Sequence, residues 1–349
     1  MIARDQLDSA VTAGILSAPQ ADRLVHHLDP NEVAHDPEEV RFARGFHDVF
    51  ITLGIAILLG GAYIGLGGVL PSSLQFIGPA PFVAALVWLL AEIFIGRKRL
   101  ALPAILLAFV FAPLVVKSVL THYGVSDGLL GRLAFISDDQ RQILVMALGV
   151  GLLATLAFQY RFKVPITYAT TAAMTAGLAL TVLEWLVPGS IESNLAALTL
   201  TAGLTIFAAA MWFDVRDTAR TSLNTDKAFW LHLLAAPLIV HSVLGALVDR
   251  TSADGSAFFV IGLVCLLALA ALIVDRRALL VSGLAYLGIA ISSLLKDADL
   301  DRTVLIAGTL VILGLIVLML GSGWSALRAM LMRPLSGTML ATYLPPARI

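Results

Sequence analysis

Five ionisable side chains lie inside apolar segments of this chain: Glu92, Lys117, Glu184, His232 and His241. A charge in hydrocarbon is expensive, so such residues face a cavity or a partner and mark paths for ions, protons or solutes. Lys117 and His241 each stand one helical turn beyond a proline, Pro113 and Pro237. Proline inside a helix removes a donor, frees a carbonyl and bends the rod. Two bent helices, each with a polar side chain at the bend, are a recurring way to line a transport site. The expected chemistry is therefore a central path. Lys117 and His241 would bind an anionic group or exchange protons with Glu184, and Glu92 with His232 would form an inner relay. The structural alternative is that each reaches lipid headgroups or a fixed ion pair. Lys117 and Glu184 lie within about one turn of their helix ends, where a long side chain snorkels cheaply.

The elements that carry these residues follow from composition. Hydrophobic residues make up 59% of the 349, charged ones only 13%, and the mean hydropathy is +0.91. A bilayer core about 30 Å thick takes roughly 20 residues of helix to cross. Backbone groups must pair within the span, which selects helices. The apolar runs are continuous rather than alternating, which argues against a membrane barrel. The expected fold is all-α, a polytopic bundle of ten spans at 46–70, 78–95, 101–120, 143–160, 165–187, 194–213, 228–247, 257–274, 279–295 and 303–321. No cleavable leader is expected, because the first 45 residues are polar and the first apolar run comes late.

Sidedness follows from lysine and arginine. Of the 23, 17 fall in the N-terminal segment, the C-terminal tail and the loops after spans two, four, six and eight. Both termini are expected in the cytoplasm of a bacterium, with the spans in its inner membrane.

An internal repeat organises the spans. Residues 107–120 read LAFVFAPLVVKSVL and residues 231–244 read LHLLAAPLIVHSVL, identical at eight of fourteen positions at an offset of 124. Apolar bias explains matching leucines but not a coincident proline and serine. Trp88 and Trp212 share the offset, and Gln159-Tyr160-Arg161 and Val274-Asp275-Arg276 occupy corresponding turns. Spans two to five (about 78–187) and six to nine (about 194–295) are thus expected to be parallel copies, with spans one and ten flanking them. Span one also carries Gly54, Gly61, Gly65 and Gly68 on one face, a packing signal.

Outside the spans, residues 1–45 are expected to form a small cytoplasmic hairpin and linker. Gly14 stops its first helix, and Ser17 with Gln20 opens the second as a capping box. Four basic residues against eight acidic ones there exclude nucleic acid as a partner. His26, His27, Asp29, Glu32 and His35 match no helical metal spacing and read as a solvated linker. The threonines of span five (167, 170, 171, 175 and 181) are expected to bond back to their own helix rather than line a wet cavity. After span ten, Gly321 and Gly323 are expected to break the helix, leaving an interfacial helix and tail over 324–349. No cofactor or metal is expected: Cys265 stands alone, and P-loop, GxGxxG, HExxH and GxSxG patterns are absent from the sequence. That argues against an enzyme.

AFWLHLLAAPLIVH at 228–241 resembles a block found in uncharacterised multi-pass proteins of the bacterial inner membrane. The closing GSGWSALRAML, the LPP at 344–346 and AGILSAPQADRL near the start resemble the same group. The resemblance implies membership of a membrane family of unknown function and implies no activity, substrate or site residue. The expected function is a carrier for a small solute. The competing reading is a non-transporting scaffold or sensor whose N-terminal hairpin binds a cytoplasmic protein. Topology is testable alone: reporters fused after Gly128 and after Arg220 should give signals from opposite sides of the membrane, and equal signals would overturn the ten-span map.

Overall fold

The computed structural model describes residues 10–21, 46–125, 137–218, 220, 222–248, 253–296, 301–334, 338, 343 and 344. The histidine-rich stretch considered above as a linker lies outside them. The chain divides into two compact units, 1–41 and 42–349.

In the first unit, Gly14 takes a left-handed backbone (φ +72°) and its N–H closes on the Val11 carbonyl, ending the first helical turn. Ser17 then donates both its N–H and its hydroxyl to Gln20 Oε1, each at 2.9 Å, as a helix opens at residue 18. The expected stop and start both stand there, but the Gln20 N–H bonds the Ser17 carbonyl and not its hydroxyl, so the expected capping box is only half formed.

The second unit is entirely helical among the described residues. Its elements are α1 (Phe46–Val69), α2 (Ala80–Ala91, prolonged by a π turn over Glu92–Arg97), α3 (Ala101–His122), α4 (Asp138–Phe162) and α5 (Ile166–Leu186). Then follow α6 (Ser190–Val215), α7 (Leu223–Val248), α8 (Ala253–Val274), α9 (Ala278–Lys296) and α10 (Arg302–Met332). Seven of them are long and apolar enough to cross a membrane: α1, α2 with its π turn, α3, α4, α5, α6 and α10. The remaining three, α7 to α9, cover the ranges expected for spans seven to nine.

Polar side chains open several of these helices. Ser137 and Gln140 form a reciprocal capping box at α4, with Asp138 and Asp139 against the positive end of the helix dipole. Asp301 precedes α10 and accepts the Thr303 N–H at 2.8 Å, which holds its carboxyl below the ordinary carboxylate value. Gly78 (φ +66°) turns the chain into α2, where a Cβ would come 2.8 Å from Thr121 Cγ2.

The helices pack in a regular order. α2 packs on α3, α3 on α4 and α5, and α4 on α5. Likewise α6 packs on α7, α7 on α8 and α9, and α8 on α9. α5 touches α6 and α7, joining the quartets; α1 lies on α2 and α3, and α10 on α8 and α9. Trp88, Phe111, Phe158 and Phe162 form an aromatic core among α2, α3 and α4, with ring centroids as close as 4.5 Å. Between α6 and α7, Ile206, Ala210, Leu231 and Ala235 form a buried cluster, and Gly203 lies against Leu238 and Ile239.

One expectation fails. α10 does not break at Gly321 and Gly323 but continues as one helix of 31 residues to Met332. Glycine in a helix costs only about 1 kcal/mol. Trp324, Arg328 and Met332, spaced four apart, are buried along one face. Tertiary contact on that face outweighs the two glycines, so residues 324–332 belong to the bundle and not to a separate interfacial helix.

The α6–α7 crossing is tight enough to test. A Cβ on Gly203 would meet Ile239 Cγ1 at 2.9 Å and the Ile239 backbone nitrogen at 3.1 Å, whereas one on Gly61 meets nothing within 4 Å. Gly203→Leu should lower stability by about 1–3 kcal/mol in micelles, read by thermal unfolding. Gly61→Leu should change it little, and equal losses would contradict this packing.

Candidate functional site

The charged groups that the fold gathers lie at one end of α6, α7, α8 and α10. α6 closes with Asp214, which is 4% exposed. His232, one turn and more into α7, is wholly buried and places Nε2 2.8 Å from Asp214 Oδ2. Arg276, in the turn between α8 and α9 and 1% exposed, donates to both Asp214 oxygens, through Nε at 3.3 Å and through a shorter bond from its terminal nitrogen. The Phe207 ring stands edge-on to the imidazole, 5.1 Å between centroids. A carboxylate so buried persists only when paired and hydrogen-bonded, and Asp214 has both an imidazole and a guanidinium.

A second layer holds the connections in place. Asp217 Oδ2 accepts the Ser222 N–H, the Ser222 hydroxyl and the Thr225 hydroxyl at 2.7–2.9 Å, opening α7. Arg220 takes a left-handed backbone (φ +56°) and donates to the Val274 and Asp275 carbonyls at 3.2 and 2.7 Å. It also stands 3.1 Å from Asp275 Oδ2. Asp275 Oδ1 accepts Trp324 Nε1–H at 2.8 Å and lies 3.5 Å from Arg328 Nε, which ties α10 to the same turn.

With Nε2 engaged on Asp214, His232 keeps Nδ1 buried and without a hydrogen-bond partner. Arg276 shares the same carboxylate, so the three groups form one buried cluster.

The residues singled out in the sequence do not converge. Glu92 pairs with Arg161 at 2.6 Å, not with His232, so the inner relay is not assembled. Glu184 is 2% exposed and serves as a cap: it accepts the Gly189 and Ile191 N–H groups at 2.8 Å each and the Ser190 hydroxyl, with Arg141 at 3.9 Å. Those partners open α6 and leave neither Lys117 nor His241 as its proton acceptor or donor. His241 is exposed on α7, with Nδ1 2.9 Å from the Tyr286 hydroxyl of α9, and Lys117 is half-buried on α3. Pro113 and Pro237 both lie on exposed helix faces, so the bends do not line an interior path. Of the span-five threonines, residues 167, 170, 175 and 181 bond to carbonyls three or four residues back, and Thr171 donates to Gln159.

Of the buried set, only His232 stood out in the sequence. Asp275 and Arg276 read there only as a turn of the repeat, Trp324 and Arg328 as parts of an interfacial helix, and Asp214, Asp217 and Arg220 carried no site reading. The available signal was the alternation of acid with base in two short connections, around Asp214-Val215-Arg216-Asp217 and Asp275-Arg276-Arg277. Such alternation invites pairing, whereas counting arginines for sidedness discards the aspartates.

Comparison with protein-family models, with curated proteins and with solved structures returned no match to this chain.

The two kinds of ion pair should differ in weight. Asp214→Ala leaves Arg276 buried without its carboxylate and should cost about 3–5 kcal/mol. Glu92→Ala breaks a pair that is one-third to one-half exposed and should cost about 1 kcal/mol or less. Unfolding in micelles measures both, and equal costs would show that Asp214 is solvated in the protein.

Proposed function

We propose that this chain is a ten-span protein of the bacterial inner membrane with both termini in the cytoplasm. Two parallel four-helix repeats, α2–α5 and α6–α9, make its body, and it carries a small solute in step with protons. Seven apolar helices support the membrane assignment. Four likenesses between the quartets support the repeat. Their packing orders correspond. The positive-φ residues other than glycine fall in matching connections: Arg99 with Arg220, and Lys163 with Asp275. An acid near the end of each first helix binds an arginine at the end of each third, Glu92 to Arg161 and Asp214 to Arg276. Pro113 and Pro237 are both exposed, while Ser118 and Ser242 donate to the equivalent carbonyls of Leu114 and Leu238.

The observation that carries the carrier reading is the buried Asp214–His232–Arg276 set. Ionisable groups buried in a membrane protein mark proton and ion paths. The working element is therefore moved from the central prolines to the end of the second repeat. A second reading, a scaffold or sensor that binds a cytoplasmic protein through residues 1–41, is favoured by one specific fact. Glu92, Glu184 and His241 each have a fixed partner, as a purely structural residue would.

Reconstituted vesicles holding a pH-sensitive dye separate the two. Under an imposed pH gradient, a panel of amino acids, sugars and carboxylates should contain at least one solute that changes the internal pH. His232→Gln should abolish that response while leaving the protein folded. If no solute moves protons, or if His232→Gln behaves as the wild type, the carrier reading falls and the scaffold reading replaces it.

A further inference from the structure

The corresponding ends of the two quartets differ in how far their basic residues are balanced by acidic ones. At the end of α6 and α8 and the start of α7, five basic residues (Arg216, Arg220, Lys227, Arg276 and Arg277) stand among four acidic ones (Asp214, Asp217, Asp226 and Asp275). Its central pairs are buried. At the equivalent end of α2 and α4, five basic residues (Arg97, Lys98, Arg99, Arg161 and Lys163) stand with one acid, Glu92. All five are exposed. The 2.6 Å bond from Arg161 to Glu92 joins the two connections into one surface and engages the one carboxylate that these two connections carry. Arg97, Arg99 and Lys163 have no acidic partner among the described residues. In the second repeat the chain supplies its own anions. In the first, no described carboxylate other than Glu92 answers these exposed cations.

What lies beside the patch selects the anion. On α4 the exposed residues Met146, Val150, Leu153, Leu156 and Tyr160 follow a helical stripe that ends next to Arg161. Tyr160 is 85% exposed, an amphipathic ring at the point where apolar surface gives way to charge. Lys98 and Arg161 rest over the Phe94 and Phe162 rings, each 5.4 Å from the ring centroid. A cationic head surface continuous with an apolar track has the shape of a phospholipid. Clusters of four to eight basic residues at a span end attract acidic headgroups. A soluble anion would make no use of the track.

We propose that the basic end of the first repeat binds the headgroup of an anionic phospholipid, whose acyl chain lies along the exposed stripe of α4. The proposal rests on the membrane reading above but not on transport.

The experiment uses the full chain in nanodiscs of phosphatidylcholine with and without phosphatidylglycerol. Lipid retained by the protein is counted by native mass spectrometry, and thermal unfolding is followed in parallel. The wild type should retain phosphatidylglycerol in preference to phosphatidylcholine and unfold at higher temperature in its presence. The triple variant Arg97→Gln/Arg99→Gln/Lys163→Gln keeps the Glu92–Arg161 bond, and its preference should drop by at least about tenfold. A charge-matched control, Arg216→Gln/Arg302→Gln/Arg333→Gln, should keep most of it. No preference in the wild type, or equal losses in both variants, would overturn the proposal. So would tight binding of inorganic phosphate to the micellar protein with the same dependence on Arg97, Arg99 and Lys163, which would assign the patch to a soluble anion. Extraction of the cellular protein from membranes by alkaline carbonate would instead remove the membrane reading itself.

Discussion

A carboxylate taken out of water needs its cations in place before the helices around it can close. Asp214 imposes that condition on one end of this bundle. Its partners come from α7 and from the α8–α9 turn, so three separated stretches of chain must meet at one point. Paired, the cluster is tolerated; with either partner missing, the desolvation of the remainder is uncompensated. The second layer follows from the first. Once the turn at Asp275 is brought up to α6, Arg220 can bond its carbonyls, and Asp275 can receive Trp324 and Arg328.

That linkage also accounts for the length of α10. Two glycines near its middle weaken the helix locally, yet it runs unbroken to Met332 because its last turns are fixed at Asp275 and buried against α8 and α9. The same physics at the other end of the span places Glu184. It accepts the first N–H groups of α6, which lack partners within the helix, and so joins α5 to α6. A residue with the type and position of a proton carrier is occupied by a backbone terminus.

The two proposed repeats illustrate how one framework supports two electrostatic outcomes. Both place an acid opposite an arginine, at Glu92–Arg161 and at Asp214–Arg276. In the first the pair is open to the surroundings and outnumbered by exposed lysine and arginine. In the second it is sealed, and a histidine joins it. The sealed version excludes solvent. The open version presents charge outward.

Helix positions, the all-helical class and the helix start after Ser17 were legible from residue order, because hydropathy and turn signals are local and leave a periodic trace. His232 was legible as a buried ionisable group, since its neighbours in the chain are apolar. Its partner was not. Asp214 is 18 positions before it, Arg276 is 62 positions after Asp214, and no periodicity relates them. Pro113 and Pro237 are visible in the sequence as bends, but the face they occupy depends on how α3 and α7 are rotated in the bundle, and that rotation puts both outside. The sequence alone determined which segments shun water and where helices begin. Tertiary structure decided which charges meet, because pairing across a bundle depends on helix rotation and depth, quantities that one-dimensional spacing does not contain.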